Sequence, residues 1–101
     1  MAENRAEPLV SIIAVCYNHS NYIVETLESI KNQEYRNIQL IIIDSFSEDN
    51  SVEIIHAWLE KNDNGYHFIK QDRPHTVCEN FNAGLRVSKG KYFQCISCDD
   101  L

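Results

Sequence analysis

Glycine is scarce in this chain: three in 101 residues, at Gly65, Gly84 and Gly90. None follows the first apolar stretch, so there is no G-x-G-x-x-G dinucleotide fingerprint, no Walker loop and no nucleophile elbow. Dinucleotide-linked oxidoreductases and P-loop NTPases are excluded on that ground. Positive charge is short as well, with 9 Lys and Arg against 15 Asp and Glu and a formal net charge of −6. Such a surface does not attract nucleic acid or anionic lipid over its whole extent, and a phosphate ligand would need a metal ion, a helix N-terminus or a few placed cations. Long apolar runs are missing too, so no segment approaches the roughly 20 residues of a membrane span. The opening "MAENRAEP" is polar and carries acids, unlike a secretory signal, and residues 1–8 are expected to form a flexible leader.

Four cysteines are present, Cys16, Cys78, Cys95 and Cys98. The last two have C-x-x-C spacing, but they fall on an apolar strand, where residues three apart face opposite sides. Free thiols filling a core in a reducing compartment are therefore expected at all four, with no zinc.

What is there alternates between two periods. "PLVSIIAVCYN" and "IQLIIID" are apolar on both faces, as central parallel strands are. "NYIVETLESIKNQ" carries Ile23, Leu27 and Ile30 at helical spacing, and "SVEIIHAWLEKN" carries Val52, Ile55 and Leu59 likewise, with Trp58 beside them. "YHFIKQ" reads as a short third strand. "TVCENFNAGLRVSKG" opens with a capping box from Thr76 to Glu79 and has Gly90 as its C-cap; "KYFQCIS" is a fourth strand. The order β-α-β-α-β-α-β predicts an α/β fold, a mostly parallel twisted sheet with helices on both faces. Residues 9–101 are expected to form one domain or part of one.

Ligands of such sheets bind beyond the carboxyl ends of the strands. That edge collects Tyr17, Asn18 and His19 after the first strand, and Asp44, Ser45, Phe46 and Ser47 after the second. Asp72, Arg73 and His75 follow the third strand, and Asp99 and Asp100 the fourth. Consecutive aspartates are hard oxygen donors suited to magnesium or manganese, or else a solvated turn. Asp44 suits a hydrogen bond from a base or ribose, or a turn; Asp49 and Ser51 are better placed to cap the following helix. Arg73 suits a phosphate. His19 and His75 read mainly as solvated loop residues, and His56 and His67 as structural.

Taken together, "VSIIAVCYNHSNYIVETLESIKNQEYRNIQLIIIDSFSEDNS" and "CENFNAGLRVSKGKYFQCISCDDL" resemble the N-terminal part of family 2 glycosyltransferases, inverting enzymes of GT-A fold that use nucleotide-sugar donors. The match runs through Tyr17 and Asn18 at the end of the first strand, then Gln33, Tyr35, Asn37 and Ile38. It continues with Asp44, Ser47 and Asp49 in the nucleoside loop, then Asn82, Gly84 and Leu85, then Gly90 and Tyr92. The Asp-x-Asp type motif falls on Asp99 and Asp100. Ser45 and Phe46 depart from the usual acid and glycine of the nucleoside loop, Ser97 from an acid, and Phe81 from a basic residue.

The resemblance implies the Rossmann-like half of a GT-A fold, cut at the metal motif. It implies nucleotide binding by Tyr17, Asn18, Asp44, Ser47 and Asp99, and a divalent cation, Mn or Mg, on Asp100 and Asp99. The partners implied are a nucleotide-sugar donor, UDP-linked by expectation, and an acceptor glycan or lipid-linked sugar. The location implied is the cytoplasm or the cytoplasmic face of a membrane. The general base is expected beyond Leu101, so these residues alone are expected to transfer no sugar and to self-associate through an open sheet edge. The competing readings are a non-catalytic metal- or nucleotide-binding module and a receiver-like signalling domain. The latter carries an acidic pair where this chain has Tyr17 and Asn18.

Overall fold

Seven residues of alternating pleat with hardly a polar group among them need apolar cover on both faces, and β1 (Val10–Cys16) has it. In the computed structural model, which describes residues 8–18, 20–32, 37–62 and 66–97, β1 lies between β2 (Ile38–Asp44) and β4 (Tyr92–Ser97). β3 (His67–Lys70) pairs with the far side of β2, giving the order β3-β2-β1-β4 with every pairing parallel. The expected parallel α/β sheet is borne out.

Alternation along the strands separates two cores. Ile12, Ala14 and Cys16 of β1, with Leu40 and Ile42 of β2, meet α1 (Ile23–Lys31) and α2 (Ser51–Lys61) through Ile23, Leu27, Ile30, Ile55 and Trp58. Ile13, Ile41 and Ile43 face the other way, under Phe81, Ala83, Leu85 and Val87 of α3 (Val77–Val87). Each buried Ile or Leu contributes about 1.5–3 kcal/mol, so the two-sided core of β1 and β2 dominates the stability. Trp58 joins the outer helices: its indole N–H donates to Glu28 of α1 at 2.8 Å and its ring stacks on Tyr66 at 5.6 Å. Among the described residues no helix is long and apolar enough to cross a membrane.

The capping box forms as the sequence predicts. Glu79 N–H donates to Thr76 Oγ1 at 3.1 Å, and Thr76 N–H donates to Glu79 Oε1 at 2.9 Å. That second bond lowers the Glu79 pKa from its ordinary value, and the nearby charges of His75 and Arg73 lower it further. A depressed carboxyl stabilises the fold above its unfolded pKa and loses the effect as pH falls through the folded one. Glu79→Gln, which keeps an acceptor but no charge, is therefore expected to be less stable than the parent at pH 7. The difference should shrink as pH falls below the ordinary glutamate pKa and be gone once the depressed folded-state carboxyl is protonated, read as melting temperature against pH for the two proteins.

Gly90 is not the C-cap. Helix α3 ends at Val87 with Ser88 as its C-cap, in extended backbone. Gly90 is required instead by a close crossing. Its N–H donates to Ser11 Oγ at 2.9 Å, and a Cβ there would stand 2.7 Å from Ser11 N. Ser11 also donates to Gln39 Oε1 at 2.7 Å, which accepts Lys89 N–H at 2.7 Å, while Gln39 Nε2 donates to Val87 O at 3.0 Å. A glycine that closes a helical pattern looks like a cap; here the chain beyond the helix is laid against β1, which local pattern does not show.

The expectation of four free thiols fails at Cys16, which is disulfide-bonded, whereas Cys78 and Cys95 are free. Pairing depends on Cα separation in space, which spacing along the chain leaves open. Burial pushes the Cys95 thiol up, keeping it protonated. Cys98 lies outside the described residues.

Candidate functional site

The parallel register brings the strand ends level. Cys16 stands beside Asp44, Asp44 beside Lys70, and Val15 beside Ser97. The loops after β1, β2 and β3 therefore rise from one edge.

Asp44 is the base of the structure there. It is 1 % exposed. Its Oδ2 accepts the Ser47 N–H at 3.0 Å and its Oδ1 accepts the Ser47 hydroxyl at 2.6 Å, folding residues 44–47 back on themselves. The Ser47 oxygen in turn accepts the Asn18 N–H at 3.0 Å. Asn18 Oδ1 accepts the Glu48 N–H at 2.7 Å and the Asp49 N–H at 3.3 Å. Asn18 has φ +50°, a left-handed conformation that asparagine tolerates. The sequence motifs Tyr17-Asn18 and Asp44…Ser47 thus prove to be one device, with Asn18 clamping the second loop to the first. Asp49 accepts from Ser51 N–H at 2.9 Å and from its hydroxyl at the start of α2, but the N-cap is Asn50, not Asp49 or Ser51 as the sequence suggests, and its side chain makes no capping hydrogen bond. The hydroxyl holds the Asp49 carboxyl below its usual range.

The clamp has a measurable strength. Asn18→Ala is expected to cost about 1–2 kcal/mol, from two lost acceptor roles and a left-handed alanine. Asn18→Gly should recover the backbone part only. Urea midpoints at constant m, together with faster amide exchange at Glu48 and Asp49, check this.

Sequence reasoning missed the third side of the loop. Ser45, a departure from the acid usual in the resembled family, is 6 % exposed and accepts Asn80 Nδ2 from α3 at 2.9 Å. Asn80 Oδ1 accepts Gln71 Nε2 at 3.2 Å, and Gln71 N–H donates to Asp44 O at 3.0 Å. Asn80 sits at a buried helix position where the pattern calls for an apolar residue, and that mismatch was the available signal.

Above this frame Tyr17, Ser45, Pro74 and His75 line an open cavity of about 250 Å³. Tyr17 is 49 % exposed. His75 Nδ1 lies 2.7 Å from Arg73 O; a carbonyl only accepts, so Nδ1 carries a proton. A polar groove of about 210 Å³ adjoins at His75, lined also by Gln71, Arg73, Glu79, Asn82 and Arg86. Tyr17, Asn18, Asp44, Ser47 and His75 are therefore brought together, with Arg73 one groove away. His19, Asp99 and Asp100 lie outside the described residues. His56 packs edge-on against Phe68 at 5.2 Å, a structural role. Among the described residues no three His, Cys, Asp or Glu side chains are grouped to hold a metal ion. The site can take a flat ring with polar edges, bordered by a hydroxyl and an imidazole.

Comparison with known proteins bears on the family and the fold. The family model described as glycosyl transferase family 2 matches residues 11–101. The glycosyltransferase GlyG of Streptococcus pneumoniae serotype 4 is 36 % identical over 93 residues, covering 92 % of this chain and 31 % of that protein. The mannosyltransferase PcManGT from Pyrobaculum calidifontis, in complex with GDP-Man and Mn²⁺, superposes with a TM-score of 0.87 at 23 % identity, over 95 % of this chain and 29 % of that one. S. aureus TarS 1-349 in complex with UDP-GlcNAc superposes with a TM-score of 0.76 at 20 % identity, over 90 % of this chain and 26 % of that one. The chain thus spans about a third of such proteins.

Proposed function

The chain belongs to glycosyl transferase family 2, and from that premise we propose that it is the donor-binding part of an inverting sugar transferase, holding a nucleoside diphosphate sugar at the carboxyl edge of its sheet. The observation that carries the reading is the Asp44–Ser47–Asn18 clamp, which sets Tyr17 at the mouth of the cavity bounded by Ser45, Pro74 and His75. Solved structures of the same fold hold GDP-Man with Mn²⁺ or UDP-GlcNAc.

In this reading Tyr17, Asn18, Asp44 and Ser47 shape the nucleoside pocket. Asp44, which is buried, acts through Ser47 and the loop it holds. Asp99 takes part in nucleotide binding, and Asp99 and Asp100 supply hard oxygen donors for a divalent cation. Such a cation neutralises the diphosphate against an acidic protein. The reaction is a single displacement: the acceptor hydroxyl oxygen bonds to the anomeric carbon as the bond from that carbon to the diphosphate oxygen breaks. The hydroxyl proton passes to a general base that is none of the residues assigned to the donor. UDP is the expected nucleotide, and the acceptor a sugar hydroxyl.

Calorimetry on the full-length protein with UDP and with GDP, each with Mn²⁺ and with chelator, tests the reading. Binding that weakens at least about tenfold on chelation is expected. No binding of either nucleotide with metal present would sink it.

A further inference from the structure

Two residues other than glycine adopt a left-handed backbone among those described, Asn18 at φ +50° and Phe46 at φ +62°. They stand on facing loops, and they are not alike. Asparagine tolerates this conformation, and the Asn18 side chain is repaid by the two amides it accepts. A bulky aromatic side chain has no local polar compensation and is a genuine outlier there. Such strain persists where the surroundings hold it, and it collects at ligand-binding segments.

Nothing within the described residues repays it for Phe46. The ring is 40 % exposed. It belongs to neither apolar cluster, in contrast to Phe81 of α3, which packs against Ile13, Ile41 and Ile43. It stacks on none of the aromatic side chains paired elsewhere in the fold. Yet its position is tightly held. Ser45 on one side is bonded to Asn80 and lines the cavity, and Ser47 on the other is bonded to Asp44 and to Asn18, next to Tyr17. The loop thus holds an exposed aromatic residue between Ser45, which lines the cavity, and Ser47, at a position where glycine would relieve the backbone.

We propose that Phe46 is a recognition residue for the donor, supplying with Tyr17 an aromatic surface for its nucleobase. The inference rests on the donor reading given above and adds to it a specific contact. Base–aromatic stacking tolerates different bases, because every base has a π-face. Phe46 therefore contributes affinity for the nucleoside portion and none for the diphosphate.

The test uses the full-length protein, with Mn²⁺, and three probes: UDP, GDP and inorganic pyrophosphate. Phe46→Gly is expected to melt at the same temperature as the parent or higher, and to bind the nucleoside diphosphates about 5- to 100-fold more weakly. Its pyrophosphate affinity should be unchanged. Phe46→Tyr, which keeps a ring, should stay within about threefold of the parent. Unchanged nucleotide affinity in Phe46→Gly would overturn the inference and leave the donor reading standing. An equal loss for pyrophosphate would also overturn it, since the loop as a whole would then have been disturbed. A parent protein that binds neither nucleotide would overturn both.

Discussion

Asp44→Ala is expected to lose nucleoside diphosphate binding by at least about a hundredfold and stability by about 2–4 kcal/mol. The two losses have one origin. The carboxylate is 1 % exposed and satisfies both the N–H and the hydroxyl of Ser47. Without it, two donors at a buried strand end lose their acceptors, each at a cost of about 1–3 kcal/mol before water relieves part of it. Ser47 then no longer fixes Asn18, so Tyr17 and the cavity mouth lose their frame. Asp44→Asn separates the effects: one oxygen still accepts, but the amide places N–H groups against a donor, so an intermediate loss is expected. Denaturant unfolding and calorimetry on the same preparations measure both quantities. An Asp44→Ala protein that is destabilised yet binds nucleotide as the parent does would confine Asp44 to structure.

Gly84→Val is expected to be the most damaging single change outside the site, at about 3 kcal/mol or more. Propensity alone argues the other way, since glycine inside a helix is worse than alanine by about 1 kcal/mol. Packing decides it. A Cβ at Gly84 would stand 2.6 Å from Ile13 Cγ2 and 3.0 Å from both Cγ1 and Cδ1. Ile13 is fully buried, and its Cγ2 is fixed to Cβ, so it cannot yield without a change of χ1 on a packed strand. Helix α3 would have to lift off β1, pulling Asn80 away from Ser45. Gly84→Ala should be destabilised by about 1–2 kcal/mol net. Urea midpoints decide between the two forces: an alanine variant more stable than the parent would mean that α3 is not seated as described.

The residues of the chain by themselves determined whatever depends on near neighbours. The doubly apolar runs of β1 and β2 demanded cover on both faces, and the helical spacing of Ile23, Leu27 and Ile30 placed one of the layers that supply it. The Thr76–Glu79 box closes within a single turn, so its two residues suffice to announce it. Asp44, Tyr17 and Asn18 were legible as strand-end residues because a parallel sheet presents its ligand edge there. Tertiary structure decided what joins them. The Asn18 amide oxygen meets Glu48 across 30 residues, Ser45 meets Asn80 across 35, and Gly90 meets Ser11 across 79. The disulfide at Cys16 and the order β3-β2-β1-β4 are of the same kind. A hydrogen bond or a van der Waals collision is set by tenths of an ångström between groups on different elements. Sequence periodicity reports only which way each element faces, and the docking of one face on another brings those groups within range.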